Sequence, residues 1–250
     1  MSQLELTELN KMFKRLEKEA LIMANLPENK YLCIRLDGFK ATKNHLKDVL
    51  INEDFNNSFY KSYKDIFNSF KNYFTKEYTS SIVCSLIVND EMSIILNKDN
   101  VNDAERIMKM CTLFSGALSA NMTNHLGENA IIFFDARPLI LSKDEISKYI
   151  RYRYLIAKRY IYWKVLRLNN FDGVYEDKIK KNLDNSILSV KKIGKEDDAK
   201  EIINTMKLFL TNEEINPSYS AIDINEDNMS LNNVETRINK YLEYLHSKRK

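Results

Sequence analysis

Apolar residues follow two spacings along the chain, and stretches of each spacing alternate. Helical spacing predicts four helices, at residues 4–25, 55–74, 102–125 and 142–168. Short runs of β-type residues predict four strands, at residues 31–36, 80–88, 92–96 and 130–141. Helices flank a β-α-β-β-α-β order, which is that of a split βαβ unit. The predicted fold class is therefore α+β, with a ferredoxin-like antiparallel sheet and added helices at both ends.

Residues with capping and turn preferences mark the boundaries of these elements. Ser142 and Glu145 form the pattern of a capping box, and Asn102-Asp103 predicts the start of the preceding helix, which should end at Gly127. Pro138 indicates an edge or irregular strand. Rings recur at helical spacing in residues 55–74 and predict a core-facing stripe. These rings are Phe59, Tyr63, Phe67, Phe70 and Phe74.

The chain changes character after residue 169, where the helical pattern becomes more polar. Helices are predicted at residues 178–192, 195–210 and 234–246, and a loop rich in Asn, Ser, Glu and Asp is predicted at residues 212–233. We therefore expect two parts: residues 1–168, which contain the sheet, and a helical region at residues 169–250.

Composition narrows the possible chemistry. A chain of 250 residues that is 44% apolar, with a net charge of +3, is typical of a globular protein and does not by itself indicate a nucleic-acid binder. The N-terminus is polar and the apolar runs are short, so we expect a cytoplasmic protein. Three single cysteines and three scattered histidines give no metal-ligand spacing, which disfavours a zinc site or a hydrolytic triad. Any chemistry should then depend on carboxylates.

Two aspartates lie where neighbouring strands would end. Asp37 follows the first strand, and Asp90 is at the tip of the hairpin between residues 80–88 and 92–96. On adjacent antiparallel strands both would face one cleft, close to the Gly38 carbonyl. Mg2+ prefers such oxygen ligands and commonly takes one or two carboxylates together with substrate phosphates. The alternative is that both are ordinary solvated turn residues.

Several segments, in order, resemble motifs of the tRNA-His guanylyltransferase superfamily and its 3′-to-5′ polymerase branch. The resemblance covers about residues 12–168. It rests on FKRLE at 13–17, IRLDG at 34–38, NDEMS at 89–93, FDAR at 134–137 and the pair Tyr152-Arg153.

The resemblance implies a palm-type, Mg2+-dependent nucleotidyltransferase that adds nucleotides to an RNA 5′ end, such as that of a tRNA, in the 3′-to-5′ direction. Asp37 and Asp90 would be the catalytic carboxylates that hold two Mg2+ ions, with the Gly38 carbonyl as a further metal ligand. Lys109 and Arg137 would contact the triphosphate of GTP or ATP. The resemblance also suggests a homo-oligomer, either a dimer or a tetramer.

Two segments depart from the family pattern. An R-x-F-H segment usually follows the aspartate-glycine pair, but this chain has FKATK, and we expect Lys40, Lys43 or Lys47 to contact phosphates instead. The second departure is KRYIYWK at residues 158–164, where guanylyltransferases carry H-I-N-N-L-Y-N. Cations and rings are interleaved over residues 151–167, which predicts RNA contacts by Arg153, Lys158 and Arg159. A nucleoside triphosphate pocket could use the same cations. A helix with an aromatic core face and a solvated basic face is the alternative.

Two other functions are compatible with the same motifs. A palm enzyme could make a cyclic or short oligonucleotide with the same two metal ions. A protein of this fold could also bind RNA without catalysis. Retention of both Asp37 and Asp90 disfavours the second of these alternatives, whereas the missing arginine after Gly38 favours it.

Overall fold

The structure is a computed structural model that describes residues 2–73, 82–97, 106–127, 130–210, 220–223 and 229–247. The helices are α1 (Ser2–Leu21), α2 (Glu53–Tyr73), α3 (Ile107–Leu126), α4 (Lys143–Leu168), α5 (Asp177–Lys180), α6 (Leu183–Lys192), α7 (Glu196–Ile203) and α8 (Leu231–Ser247). The strands are β1 (Tyr31–Gly38), β2 (Ile82–Val88), β3 (Glu91–Asn97), β4 (Phe134–Leu141), β5 (Lys207–Leu210) and β6 (Ser220–Asp223). Across the described residues, none of the helices combines the length and apolar character that a bilayer crossing requires.

One antiparallel sheet organises the molecule, with the strand order β4-β1-β3-β2-β5-β6. The first four strands have the order of a ferredoxin-like sheet, so the predicted fold class is confirmed. The register places Asp37 of β1 opposite Glu91 of β3 on one side and opposite Asp135 of β4 on the other. Directly opposite residues point to the same face of a sheet, so these three carboxylates share one face and one end.

Each face of the sheet carries its own core because side chains alternate along the strands. Leu32, Ile34 and Leu36 of β1 pack with α2 and α3 on one face. Tyr31 and Cys33 face the other side, where α1, α4 and the C-terminal helices pack. All three cysteines are buried and free, as their apolar surroundings predict.

The predicted aromatic stripe of α2 faces the core in the part that the structure describes. Phe59 and Tyr63 are buried there. The side chains of Phe67, Phe70 and Phe74 lie outside the described residues.

Several predicted boundaries are confirmed, but one helix and one strand begin later than predicted. The capping box of Ser142 and Glu145 is present, Gly127 follows the end of α3, and Pro138 is on the edge strand β4. Helix α3 begins at Ile107 rather than residue 102, and the predicted cap Asn102-Asp103 lies outside the described residues. Strand β4 begins at Phe134 rather than residue 130.

The C-terminal region is not purely helical, so that prediction is wrong. The helix predicted at 195–210 ends at Ile203, and β5 pairs with the otherwise open edge of β2, whose backbone groups need hydrogen-bond partners. Strand β6 lies within the predicted loop at 212–233. The helix predicted at 178–192 is broken before Leu183, where Asn182 accepts a hydrogen bond from the backbone N–H of Asn185 and caps α6.

Candidate active site

The predicted carboxylates lie together at one end of the sheet. Asp37 is near the end of β1, and Asp90 is in the two-residue turn that joins β2 to β3. The backbone N–H of Gly38 donates to the backbone carbonyl of Asp90 over 3.1 Å, which fixes the end of β1 against the hairpin tip. Asp37, Gly38 and Asp90 line one cavity of about 520 Å³. The predicted juxtaposition of the two aspartates is therefore present.

Position 38 has no room for a side chain. A Cβ atom there would be 2.6 Å from the Cβ of Ala41 and 3.3 Å from the carbonyl oxygen of Asp90. Glycine lets the chain leave β1 in contact with the hairpin tip, so it is required by close approach.

Thr42 holds the Asp90 carboxylate in place. Its backbone N–H donates to Oδ2 of Asp90 over 2.9 Å, and its hydroxyl donates to the same oxygen. The segment after β1 reaches this position through Lys40, whose φ of 58° lies in the left-handed region. One carboxylate oxygen of Asp90 is thus fixed by the segment that follows β1.

Asp37 has an unfavourable environment for its negative charge. Burial, with the nearby carboxylates of Glu91, Asp90 and Asp135, raises its pKa to about 6, because together they outweigh the opposite effect of Arg35. A bound cation would relieve this repulsion.

The neighbouring acids Glu91 and Asp135 already have arginine partners. Arg153 donates to both carboxylate oxygens of Glu91, with 2.7 Å between Nε and Oε1, and this pair is buried. Asp135 accepts from Nε and Nη2 of Arg137 over 3.0 and 2.9 Å. These two acids are neutralised locally, which leaves Asp37 and Asp90 as the carboxylates that line the cavity.

The donor set of the cavity suits Mg2+ better than a closed structural metal centre. Within the described ranges, no group of three or more His, Cys, Asp or Glu side chains is arranged to hold a metal ion. Asp37, Asp90 and the Gly38 carbonyl provide hard oxygen donors and leave coordination positions for water and phosphate, which is the usual situation for Mg2+ at phosphate sites. The uncompensated charge of Asp37 supports this fit.

Cations and rings form the remainder of the cavity. Lys40, Lys43 and Lys47, predicted as phosphate contacts, all line it. The long helix α4 and the turn that follows it provide the opposite side. The residues on that side are Tyr160, Trp163, Arg167 and Tyr175.

The other predicted site residues are elsewhere. Lys109 is on α3, which packs on the opposite face of the sheet, and it is not among the residues that line the cavity. Arg137 is outside the cavity and pairs with Asp135. Arg153 and Lys158 are buried, and Arg159 is half-buried. Arg153 in particular belongs to an internal ion pair rather than to an open surface for RNA.

Thr42 and Tyr175 were not among the predicted site residues, and Arg167 was predicted only as one of the cations of residues 151–167. Arg167 had a usable signal, because residues 160, 163 and 167 fall on one face of a helix. Thr42 and Tyr175 had none, because each reaches the cavity through an irregular segment.

No protein-family model and no curated protein sequence matches the chain, but solved structures do. A tRNA(His) guanylyltransferase from Saccharomyces cerevisiae aligns with a TM-score of 0.60 and 16% identity over 81% of this chain and 92% of that one. A bacterial tRNA(His) guanylyltransferase-like protein in complex with ATP aligns with a TM-score of 0.58 and 16% identity over 94% and 98%. The chain has the fold of the tRNA(His) guanylyltransferase-like proteins.

A bacterial guanylyltransferase-like protein in complex with GTP also matches, with a TM-score of 0.50 and 20% identity over 69% of this chain and 82% of its own. These low identities describe a divergent relative of that fold. The resemblance predicted from the sequence motifs is confirmed at this level.

Proposed function

We propose that this protein is a Mg2+-dependent nucleotidyltransferase that adds nucleotides to an RNA 5′ end, such as that of a tRNA, in the 3′-to-5′ direction. The observation that carries the proposal is the cavity that Asp37 and Asp90 share with Lys40, Lys43 and Lys47. Carboxylates that attract a metal and cations that attract phosphates are both needed for phosphoryl transfer. The fold supports the proposal, because two of the similar structures are complexes with ATP and GTP.

The groups at the acidic end would bind metal or orient a metal ligand. Asp37 and Asp90, with the Gly38 carbonyl, would hold two Mg2+ ions. When bound, these ions would assist attack of the incoming nucleotide's 3′-hydroxyl on the α-phosphorus of a 5′-triphosphate at the RNA end. The bond from that phosphorus to pyrophosphate would break, and the ions would neutralise charge on the departing pyrophosphate. Thr42 keeps Asp90 oriented through its two hydrogen bonds, so this carboxylate needs no rearrangement before it binds.

The three lysines of the cavity would attract and hold the triphosphate of GTP or ATP. A lysine is a point charge on a flexible stem, so these contacts favour negative charge without fixing its direction. Because Lys109 and Arg137 lie outside the cavity, we assign the triphosphate contacts to Lys40, Lys43 and Lys47. Arg159 stays a predicted RNA contact, and a homo-oligomer and a cytoplasmic location stay predictions.

The decisive experiment is incubation of the protein with labelled nucleoside triphosphates, Mg2+ and total RNA. We expect label in RNA from the unsubstituted protein, and at least a 100-fold loss in Asp37→Ala and Asp90→Ala, since each removes a metal ligand. Asp197→Ala is the matched control, because Asp197 is an exposed aspartate paired with Lys200 outside the cavity. Full activity in either cavity variant would contradict the proposal.

The same reactions separate the proposal from its alternatives. Label in a small product that forms without RNA would identify a synthase of cyclic or short oligonucleotides. Retention of RNA without incorporation of label would identify a non-catalytic RNA-binding protein. Each incubation must therefore be run once with RNA and once without it.

A further inference from the structure

The side of the cavity opposite the aspartates has its own chemistry. Trp163 and Arg167 lie one helical turn apart on α4, and Tyr175 follows in the turn after that helix. Tyr175 is beyond the part of the chain that carries the sequence resemblance. We refer to Trp163, Arg167 and Tyr175 as the α4 wall.

The rings of the α4 wall are held in a defined arrangement. The indole N–H of Trp163 donates to the backbone carbonyl of Val174 over 3.0 Å. This bond fixes the ring against the turn that carries Tyr175. The two rings pack edge to face, with centroids 6.4 Å apart and planes at 71°. Tyr175 is nevertheless 70% exposed, so one face of a positioned ring is open to a ligand.

Arg167 has hydrogen-bonding capacity that the described part of the protein does not use. Its Nη1 atom pairs over 3.3 Å with Asp48, whose side chain is 78% exposed. Its Nε and Nη2 atoms are buried and have no hydrogen-bond partner among the described residues. Buried donors are usually satisfied, and an exposed ion pair contributes little, so Asp48 alone does not explain this guanidinium.

A phosphate is the partner that fits these donors. A guanidinium presents a planar fork that binds phosphate oxygens in pairs, which the three cavity lysines cannot do. Arg167 also lies over the Trp163 ring, with its Cζ 5.7 Å from the centroid, so the charge is supported in place. Arg167 lines the cavity, so a side-chain rotation toward the cavity would bring Nε and Nη2 to a phosphate bound there.

We propose that the α4 wall recognises the nucleoside triphosphate, with Arg167 binding its phosphates and Tyr175 stacking on its base. This inference rests on the proposed function and names the surface that selects its substrate. Because every base has a stackable face, Tyr175 would favour nucleotides over free polyphosphate without distinguishing strongly between bases.

Binding can be measured directly, because Trp163 is the only tryptophan of the chain. The probe is the ATP analogue with a methylene bridge between its α- and β-phosphates, which cannot release pyrophosphate. It is titrated with Mg2+ against the full-length protein, by tryptophan fluorescence and by calorimetry. We expect a change in Trp163 emission that saturates with the analogue.

Three variants test the assignment. Arg167→Met should weaken binding of the analogue by about 10- to 100-fold, and binding of AMP by much less, since charge-assisted bonds to the terminal phosphates are lost. Tyr175→Ala should weaken binding of both nucleotides by about 5- to 50-fold, and Tyr175→Phe should restore it. Lys180→Met is the control, because Lys180 also contacts the Trp163 ring, at 5.5 Å, but lies outside the cavity. Its affinity should stay within about twofold of the unsubstituted protein.

The outcomes separate the two proposals. Unchanged calorimetric affinity in folded Arg167→Met and Tyr175→Ala, with incorporation of label intact in the unsubstituted protein, would overturn the α4 wall assignment alone. Equal losses in Lys180→Met and Arg167→Met would also overturn it, because they would show a general charge effect. An unsubstituted protein that neither binds the analogue nor incorporates label would overturn the proposed function and this inference together.

Discussion

At the scale of single residues, Gly38 contributes both to the fold and to the candidate site. It closes β1, donates to the Asp90 carbonyl, and leaves space for Ala41 and the hairpin tip to approach. The family resemblance implied that the Gly38 carbonyl is a metal ligand. The structure requires glycine at this position because the end of β1 meets the hairpin tip there, and a side chain would not fit between these two segments.

We predict that Gly38→Ala lowers the free energy of unfolding by about 1–3 kcal/mol and reduces incorporation of label, because the new Cβ would overlap Ala41. Gly116→Ala is the matched control. Gly116 lies in α3, and a Cβ added there would enter open space, so alanine should stabilise that helix by about 0.5–1 kcal/mol. Urea denaturation measures both, and equal effects would contradict the argument from close approach.

Asp37 gives a pH-dependent prediction. Its pKa is raised from 3.8 to about 6 by burial and by neighbouring carboxylates, so ionisation opposes folding. The loss of folding stability caused by ionised Asp37 is absent below pH 4. It grows as the pH rises from 4 to 6 and is complete above that range. In Mg2+-free buffer at about pH 8, Asp37→Asn should therefore be more stable than the unsubstituted protein.

The expected gain is on the order of 1 kcal/mol after allowance for solvent screening. Thermal denaturation at about pH 4 and about pH 8 measures it, and the difference between the two proteins should shrink at the lower pH. Lower stability of Asp37→Asn at the higher pH would show that the carboxylate makes favourable contacts that outweigh its repulsion.

At the scale of elements, α4 contacts the acidic end of the sheet through a buried ion pair. Arg153 and Glu91 are both largely buried, and Arg153 donates to both oxygens of the carboxylate. Removal of Arg153 would take away both hydrogen bonds to the buried Glu91 carboxylate and leave it only the more distant Arg35, whose Nε is 3.9 Å from Oε2. The pair therefore fixes α4, which carries the α4 wall, relative to β3.

We predict that Arg153→Met lowers the free energy of unfolding by about 3–5 kcal/mol. Arg159→Met, on the same helix but at a half-buried position, should change it by less than about 1 kcal/mol. Urea denaturation of both variants measures the difference. Similar values for the two would mean that the Glu91 contact does not fix the helix.

The elements differ in how well their own sequence predicts them. Strands β1 to β4 and helices α1 to α4 each carry enough apolar residues in one period to be recognised alone. Strand β5 has only four residues, and its strand conformation depends on the open edge of β2, so local pattern indicated helix. Arg153 was misassigned for a related reason: its charge is visible in the sequence, but its partner Glu91 is 62 positions away.

The candidate site could also be predicted only in part, because some of its residues are placed by contacts between distant segments. Strand order was sufficient to predict that Asp37 and Asp90 lie close together. The three lysines were predicted from the family resemblance, because they lie where its R-x-F-H segment is missing. Thr42 and Tyr175 depend on irregular segments whose paths are set by tertiary contacts. The structure was needed to show that α4 and the turn after it line the same cavity as the aspartates.

At the scale of the whole molecule, one core crosses the boundary predicted at residue 168. Side chains of α4 pack in the same cluster as side chains of every later helix and of β5. Strand β5 extends the sheet from β2, and the Tyr60 hydroxyl on α2 donates to the Thr205 carbonyl. The C-terminal region therefore covers surface that the first part of the chain would otherwise expose.

This continuity predicts that residues 1–168 do not fold as a stable unit. A fragment ending at residue 168 would expose the apolar face of α4, including Ile161 and Val165, and the backbone edge of β2, both of which favour aggregation. We expect the fragment to be insoluble or to lack a cooperative thermal transition, while the full chain unfolds in one transition. A soluble fragment with its own transition would instead support two independent domains, and Tyr175 of the α4 wall would then belong to an accessory part that assembles onto a complete palm.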